Sequence, residues 1–316
     1  MHADLPSRPA RAARPAARGA RALVAAGVAG AALVLGGCVS LTVEPRALLL
    51  DSDGRVQVQS LACTGPAFTA RLGRTMADSE ALDPAAIRLL TWNIHKQDDA
   101  GWDRDLASFA ASSDILLLQE VVLAPALRSV VEDAGMRWVM ASSFLYSDFD
   151  IGVVTGSRKT PLASCTQRVV EPLIRIPKSA VISWFRVAGQ SATLAVVNVH
   201  AINFALGLTG YRAQLDALRA ALADHPGPII FAGDLNTWTD ARVQAMRDVG
   251  TALGLTEIEF REDRRSVFLG KQLDHVYARG LELVDAEAIP VKSSDHNPVR
   301  VTFRLARQAA ATAPAR

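Results

Sequence analysis

Three short stretches of the chain repeat one arrangement: a polar side chain, an apolar one, then a second polar one. They are Asn93-Ile94-His95, Asn198-Val199-His200 and Asp234-Leu235-Asn236. Residues i and i+2 of a strand share a face, so each polar pair points one way and Ile94, Val199 and Leu235 point the other. Gln119-Glu120 ends another apolar run. The two are adjacent and face oppositely; Glu120, whose charge is costlier to bury unpaired, is expected on the side of the pairs. Asp295 and His296 stand in the loop "SSDHNP" (293–298), where both can be aimed inward, and Asp274 opens "LDHVYA". One such pair is explained by turn chemistry, because Asp and Asn favour loops and cap helices. Five or six segment ends that all carry carboxylate, amide or imidazole point instead to a site. Carboxylates gathered there repel one another unless a cation sits among them. Oxygen ligation with few ligands suits Mg²⁺ or Mn²⁺. No His or Cys cluster has the spacing usual for zinc.

These residues need elements to hold them, and the patterning supplies them. Residues 87–94, 114–120, 138–144, 150–157, 179–187, 192–200, 228–236, 273–278 and 298–305 read as strands. Residues 103–112, 125–134, 209–223 and 239–253 read as helices, two of them stopped by Gly135 and Gly254. Helices and strands interleave, yet several strands follow one another directly. That predicts an α+β fold of mixed sheets with helices outside, not a parallel doubly wound sheet. Residues 38–85 read as a tether and lead-in, 86–306 as the catalytic domain and 307–316 as a frayed tail.

The chain has 316 residues, 50% of them hydrophobic, which is ample for a core. Its net charge of +2 is unevenly spread. Five of the 34 basic residues and one of the 32 acidic ones lie in residues 1–37, leaving 29 basic against 31 acidic. The body therefore lacks the basic excess of a protein that tracks duplex nucleic acid, which weakens a nuclease reading without removing it. The leading arginines, Arg8 to Arg21, precede an uncharged apolar run from Ala22 to Gly37, short for a span and fitting for a signal-peptide core. Leu35-Gly36-Gly37-Cys38 resembles a bacterial lipobox, in which Cys38 would be lipidated after cleavage. An ordinary cleaved signal and an uncleaved anchor are the alternatives. The expectation is an exported protein of the bacterial envelope, periplasmic or held on a membrane by an N-terminal lipid anchor. Cys63 and Cys165 are a disulfide candidate in an oxidising compartment, or else two separate buried thiols. Nothing argues beyond a monomer.

The segments "WNIHK", "DILLLQEV", "GVVTGS", "VVNVHAINF", "FAGDLNTW", "LDHV" and "SSDHNP" occur in the order found in the endonuclease/exonuclease/phosphatase (DNase I-like) superfamily. The chain resembles that superfamily over about residues 87–305, and most resembles its YafD-like bacterial branch. The resemblance implies a four-layer α/β/β/α sandwich and metal-assisted hydrolysis of a phosphate ester. It implies that Glu120 is the principal metal ligand, with Asn93 beside it and Asp295 close by. Asp234 would orient and deprotonate the attacking water, with Asn236 holding the water or the phosphate. His296, oriented by Asp274, would contact the phosphate, and His200 would be a second phosphate or leaving-group histidine. Asn198 and Asn203 would line the substrate position. Where many nucleases of the superfamily carry Asp, this chain has His95, which reads either as a phosphate contact or as a structural histidine. Lys96 reads as a phosphate contact or a solvated lysine, and His275 as structural. The segment "HAINFALGLTGY" (200–211) is either a packed connection or a rim suited to an apolar leaving group. The substrate therefore stays open among nucleic acids, small phosphate esters and phospholipid or sphingomyelin phosphodiesters. A non-catalytic binding module of the envelope is the reading from another class.

Overall fold

Apolar residues run almost unbroken through the central strands, so each strand must bury both faces, one under helices and one against a second sheet. The computed structural model describes residues 41–43, 46–59, 63, 66–73, 78–205 and 207–306. The strands are β1 (Leu41–Thr42), β2 (Ala47–Asp51), β3 (Val56–Gln59), β4 (Ile87–Asn93), β5 (Ile115–Val122), β6 (Arg137–Tyr146), β7 (Phe149–Ser157), β8 (Ala163–Val170) and β9 (Pro177–Phe185). They continue as β10 (Leu194–His200), β11 (Ile229–Asp234), β12 (Thr256–Glu257), β13 (Val267–Phe268), β14 (Lys271–Gln272), β15 (Asp274–Arg279), β16 (Leu281–Ala288) and β17 (Val299–Leu305). The helices are α1 (Pro66–Leu72), α2 (Trp102–Ser112), α3 (Pro125–Asp133), α4 (Thr209–Leu222) and α5 (Asp240–Leu253).

The larger sheet runs β16-β17-β4-β5-β7-β6-β2-β3, with β1 on the end of β6; the smaller runs β12-β15-β11-β10-β9-β8. Val196, Ile230 and Ala232 of the smaller sheet pack on Leu89, Leu117 and Val301 of the larger. The outward residues of the larger sheet, Leu90, Trp92, Leu116 and Leu118, pack under Leu106 and Ala110 of α2 and Leu127 and Val131 of α3. Those of the smaller sheet, Val197, Val199 and Phe231, pack under Leu215 and Leu218 of α4 and Met246 and Val249 of α5. The layers are thus α/β/β/α. Each sheet contains one parallel pair, β4 with β5 and β10 with β11, and every other pairing is antiparallel. All these hydrophobic clusters and the disulfide fall within the compact unit Ser40–Arg316, so the core described here is complete within it.

The lead-in departs from the expected tether. β2 pairs with β6 and β3 with β2, extending the larger sheet. Leu49 is buried because "ALLLD" alternates and β2 sits inside the sheet, between β6 and the edge strand β3. Cys63 is disulfide-bonded to Cys165, and Phe68 of α1 stacks edge-on against Trp184. The strands β8 and β16 were not anticipated. In "ASCTQRVV" the buried polar residues Ser164, Thr166 and Gln167 hide the apolar period, and in "LELVDAEA" one face of an edge strand is left wet. The expected signal peptide, Cys38 and the tail 307–316 lie outside the described residues. No helix among the described residues is long and apolar enough to cross a membrane.

Gly233 sits on β11 with φ +141°, and a Cβ there would lie 2.0 Å from the Val199 carbonyl oxygen. β10 and β11 approach too closely for any side chain at that point, which explains the glycine before Asp234. Gly233→Ala is expected to cost on the order of 3 kcal/mol or more in urea unfolding, through strain and displaced backbone.

Candidate active site

The carboxyl ends of the two parallel pairs carry the polar residues, and the sandwich brings those ends together. β4 ends in Asn93, β10 in His200 and β11 in Asp234, and β5 carries Gln119-Glu120 shortly before its end at Val122. The Asn93 Nδ2 donates to Asp234 Oδ2 at 3.0 Å, joining the sheets. Asp234 Oδ1 accepts the Asn236 backbone N–H at 3.0 Å, and Asn236 Nδ2 donates to the Ala201 carbonyl at 3.0 Å. Asp274 pairs with Asp234 across β15 and β11. Its Oδ2 lies 2.7 Å from His296 Nδ1. The loop bearing His296 is fixed by three further bonds. Trp92 Nε1 donates to the His296 carbonyl, Ser294 Oγ to the Asn93 carbonyl, and the His296 N–H to Ser294 Oγ.

Gln119 and Glu120 face apart, as adjacent strand residues must. Gln119 is buried between the sheets and donates to Asn198 Oδ1 at 2.8 Å. A bulge between Leu118 and Val121, with Glu120 at φ +53°, turns the Glu120 carboxylate into the site. There it meets three cationic or basic groups. Lys96 Nζ is 2.5 Å from Oε2; Lys178 Nζ and His200 Nε2 are 3.9 Å and 3.7 Å from Oε1. Burial pushes the Glu120 pKa up, but Lys178, His200 and Lys96 outweigh it, and the carboxyl is held well below its usual range.

The two site histidines are driven apart. For His296, burial lowers the pKa, but the Asp274 charge and hydrogen bond, with Asp234 and Asp295 beyond, raise it to about 10. His296 is therefore an imidazolium at neutral pH. For His200, burial and then the Lys178 ammonium lower the pKa to about 4, against the pull of Asp234 and Glu120. It is neutral, and its Nε2, 2.9 Å from Lys178 Nζ, accepts that hydrogen bond. His200 is thus no second cation for a phosphate in this arrangement.

Asn198 corrects an expectation. It shares a face with His200 but lies one step deeper, fully buried. Its Nδ2 donates to the Leu118 and Val154 carbonyls and its Oδ1 accepts from Gln119, so the amide ties the sheets and has nothing left for a substrate. Asn203 is half-buried; its Oδ1 accepts from Trp238 Nε1 at 3.0 Å and its backbone N–H donates to Glu171. His95 sits at the mouth with Nδ1 2.8 Å from Asp99 and 3.9 Å from Asp295, whose side chain is 60% exposed. Lys96 rests on Glu120. His275 faces the other way, against Glu257 and Thr237, as a structural histidine.

Two contributors were missed in the sequence. Lys178 opens β9 in "PKSAVISWF", where no polar partner two residues away marks it and a strand-end lysine reads as solvated. Arg242, from α5, is buried and donates to the Ile202, Asn203 and Asn236 carbonyls, its guanidinium stacked between Tyr211 and Trp238. It locks together the two loops that follow β10 and β11. A lone arginine in an amphipathic helix gives no sequence signal of such a role.

A divalent ion would find hard oxygen donors here in Glu120 and Asn93, the sparse set that Mg²⁺ or Mn²⁺ completes with water and substrate oxygens. No three His, Cys, Asp or Glu side chains converge as a closed metal cage among the described residues. The donor set fits such an open site, on the condition that the Lys96 ammonium leaves Glu120.

The sequence model of the Endonuclease/Exonuclease/phosphatase family matches residues 90–296, from the middle of β4 to His296. The chain belongs to that family. It is 40% identical over 281 residues to a UPF0294 protein of Vibrio campbellii, spanning 86% of this chain and 95% of that one. It is 38% identical over 218 residues to a UPF0294 protein of Yersinia enterocolitica, spanning 69% and 84%. Among solved structures, the human Nocturnin catalytic domain with bound sulfate superposes with TM-score 0.55 at 17% identity, covering 71% of this chain and 96% of that one. ANGEL2, a 2′,3′-cyclic phosphatase bound to adenosine-2′,3′-vanadate, superposes with TM-score 0.54 at 14% identity, covering 70% and 96%. At such identities these structures share the fold, which confirms the DNase I-like sandwich.

Two measurements check the electrostatics. A histidine whose pKa is raised on folding adds stability below its unfolded value near 6.5, and that contribution is lost as pH climbs toward about 10. The unfolding free energy of the parent relative to His296→Gln is expected to fall by up to about 1.4 kcal/mol per pH unit across that window. Removing the Lys178 charge is expected to move the NMR titration of His200 upward from about 4, which Lys178→Met tests.

Proposed function

We propose that the protein is a Mg²⁺- or Mn²⁺-dependent phosphoesterase acting on a phosphodiester or phosphomonoester. The observation that carries this reading is the buried alignment of Asp234 with the Asp274–His296 ion pair. Asp234, held by the Asn93 amide and the Asn236 N–H, is oriented to accept a proton from the attacking water. Asn236 offers its amide oxygen to that water, since its Nδ2 is engaged with Ala201. Protonated His296 donates its free Nε2–H to a phosphoryl oxygen and stabilises the charge that grows there, while Asp274 fixes the ring. Lys178, behind Glu120 and His200, adds positive potential to the same region. Glu120 and Asn93 would hold the ion, which when bound supplies Lewis-acid polarisation of the phosphate.

The family, the 2′,3′-cyclic phosphatase activity named for ANGEL2 and the single-strand DNA product bound to D. rerio TDP2 support phosphoester chemistry without choosing a substrate. The apolar run at 22–37 and Cys38 support placement at the bacterial envelope by an N-terminal lipid anchor.

A panel of bis(p-nitrophenyl) phosphate, plasmid DNA, inositol phosphates and sphingomyelin, assayed with Mg²⁺ and with EDTA, tests the reading. Asp234→Asn is expected to lower turnover of the accepted member by about 10²- to 10⁴-fold with unchanged thermal unfolding. Wild-type rates in that variant, or no EDTA-sensitive turnover of any member by the parent, would overturn it.

A further inference from the structure

The polar site is ringed by hydrophobic side chains that the fold leaves in water. Register places them. Val199 pairs with Ala180, so the turn between β8 and β9 projects just beyond His200. It carries Leu173, 53% exposed, and Ile174, 43% exposed. Asp234 pairs with Asp274, so the β13–β14 hairpin that leads into Asp274 projects from the same end. Its tip bears Phe268 and Leu269, 54% and 69% exposed. Phe204, 51% exposed, follows four residues after His200. Contacts join these tips into one rim. Phe268 meets the Trp238 ring, Trp238 Nε1 donates to Asn203, and the Asn203 N–H donates to Glu171 at the foot of the Leu173 turn. The exposed phenylalanines among the described residues are Phe149, Phe204 and Phe268, and Phe149 also lies at this end, in the β6–β7 turn beyond Glu120.

The rim is held up rather than collapsed. Arg242 and the buried Glu171 fix the loop carrying Phe204 by its backbone, so the apolar side chains are kept out of the core by design of the polar scaffold beneath them. Exposed apolar tips around a polar mouth do not form one flat face for a protein partner; they suit a soft interface that lets each tip enter separately while the mouth stays at the polar surface.

The course of the chain selects the same occupant. β1 pairs Leu41 with Tyr146 and Thr42 with Leu145, so the backbone enters the domain at the catalytic end, beside the Phe149 turn. Two residues separate Leu41 from Cys38, and the apolar run ends at Gly37. An anchor there would lie within about 10 Å of Leu41 along the chain. Arg175 is exposed beside Leu173 and Ile174, where an anionic headgroup would meet it.

We propose that the apolar rim formed by Leu173, Ile174, Phe204, Phe268 and Leu269 docks on a lipid bilayer and presents the active site to the membrane surface. The proposal rests on the phosphoesterase reading only for what is hydrolysed there; docking itself does not require it.

The test uses residues 40–316 and vesicles of phosphatidylethanolamine and phosphatidylglycerol in a sedimentation assay. The parent is expected to bind. Phe268→Glu with Leu269→Glu, and separately Leu173→Glu with Ile174→Glu, are expected to weaken binding by about tenfold or more. Leu283→Glu with Val284→Glu, on exposed residues of β16, is expected to leave it unchanged. Brominated acyl chains are expected to quench the parent's tryptophan fluorescence, and Trp238→Phe to remove much of that quenching, which serves should a rim variant misfold. No vesicle binding by the parent, or equal binding by folded rim variants, overturns docking. Vesicle binding that depends on the rim with no EDTA-sensitive turnover of any panel member, sphingomyelin in vesicles included, retains docking and sinks the phosphoesterase reading.

Discussion

A carboxylate between two apolar sheets must be answered by a positive charge or by hydrogen bonds, and this requirement organises the catalytic end of the molecule. Glu120, Asp234 and Asp274 all lie at the seam. Each has a different answer. Glu120 is surrounded by Lys96, Lys178 and His200; Asp234 is held by Asn93 and the Asn236 N–H; Asp274 is paired with the His296 imidazolium. Exposed ion pairs contribute little, but a buried carboxylate stripped of its partner is strongly destabilising. The sheets therefore cannot close here unless those partners are in place, and the site and the fold are one problem. Below the seam neutral groups join the sheets in the same way: Gln119 Nε2 donates to Asn198 Oδ1 across the layer between them.

Backbone geometry is the second constraint. His95, Lys96, Gln97, Glu120 and Asn236 all have positive φ. Each costs free energy for a residue with a side chain, and such residues persist where surrounding contacts over-determine them. The contacts are visible. Gln97 exchanges bonds with Val122 through both ends of its amide, and the Asn236 turn is clamped by Arg242 and Asp234. The strain re-aims side chains that an ideal strand would send elsewhere. Lys96 reaches Glu120 only because the chain leaves β4 in a left-handed turn.

This explains what was legible in the sequence. Period-two pairs identified Asn93, His200 and Asp234, because strand geometry fixes their direction, and pointed to Asn236, whose aim is set by a left-handed turn beyond β11. The central strands and four outer helices were equally readable from apolar periodicity. Asn198 was misassigned by the same rule, since period two gives a face but not a depth along it. Lys178 and Arg242 were missed because their roles come from tertiary neighbours: one faces Glu120 across strands, the other caps carbonyls contributed by two loops. β2 and β3 were lost in the lead-in, β8 because buried Ser164, Thr166 and Gln167 break its apolar period, and β16 because one side is solvated and the alternation fades.

The two imidazoles show how the scaffold assigns chemistry to identical groups. His296 and His200 are both buried, and burial alone would discharge both. Asp274 at 2.7 Å reverses that for His296, whereas Lys178 at 2.9 Å reinforces it for His200. One becomes a fixed cation with a donor to offer and the other a neutral acceptor. Groups of one type pushed to opposite protonation states within one cleft are a means of holding acid and base together at one pH. In this chain that separation rests on a carboxylate and an ammonium that neither donate to nor accept from the reacting phosphate in the proposed mechanism. Replacing Lys178 by a neutral side chain would therefore change the character of His200 before it changed the shape of the site.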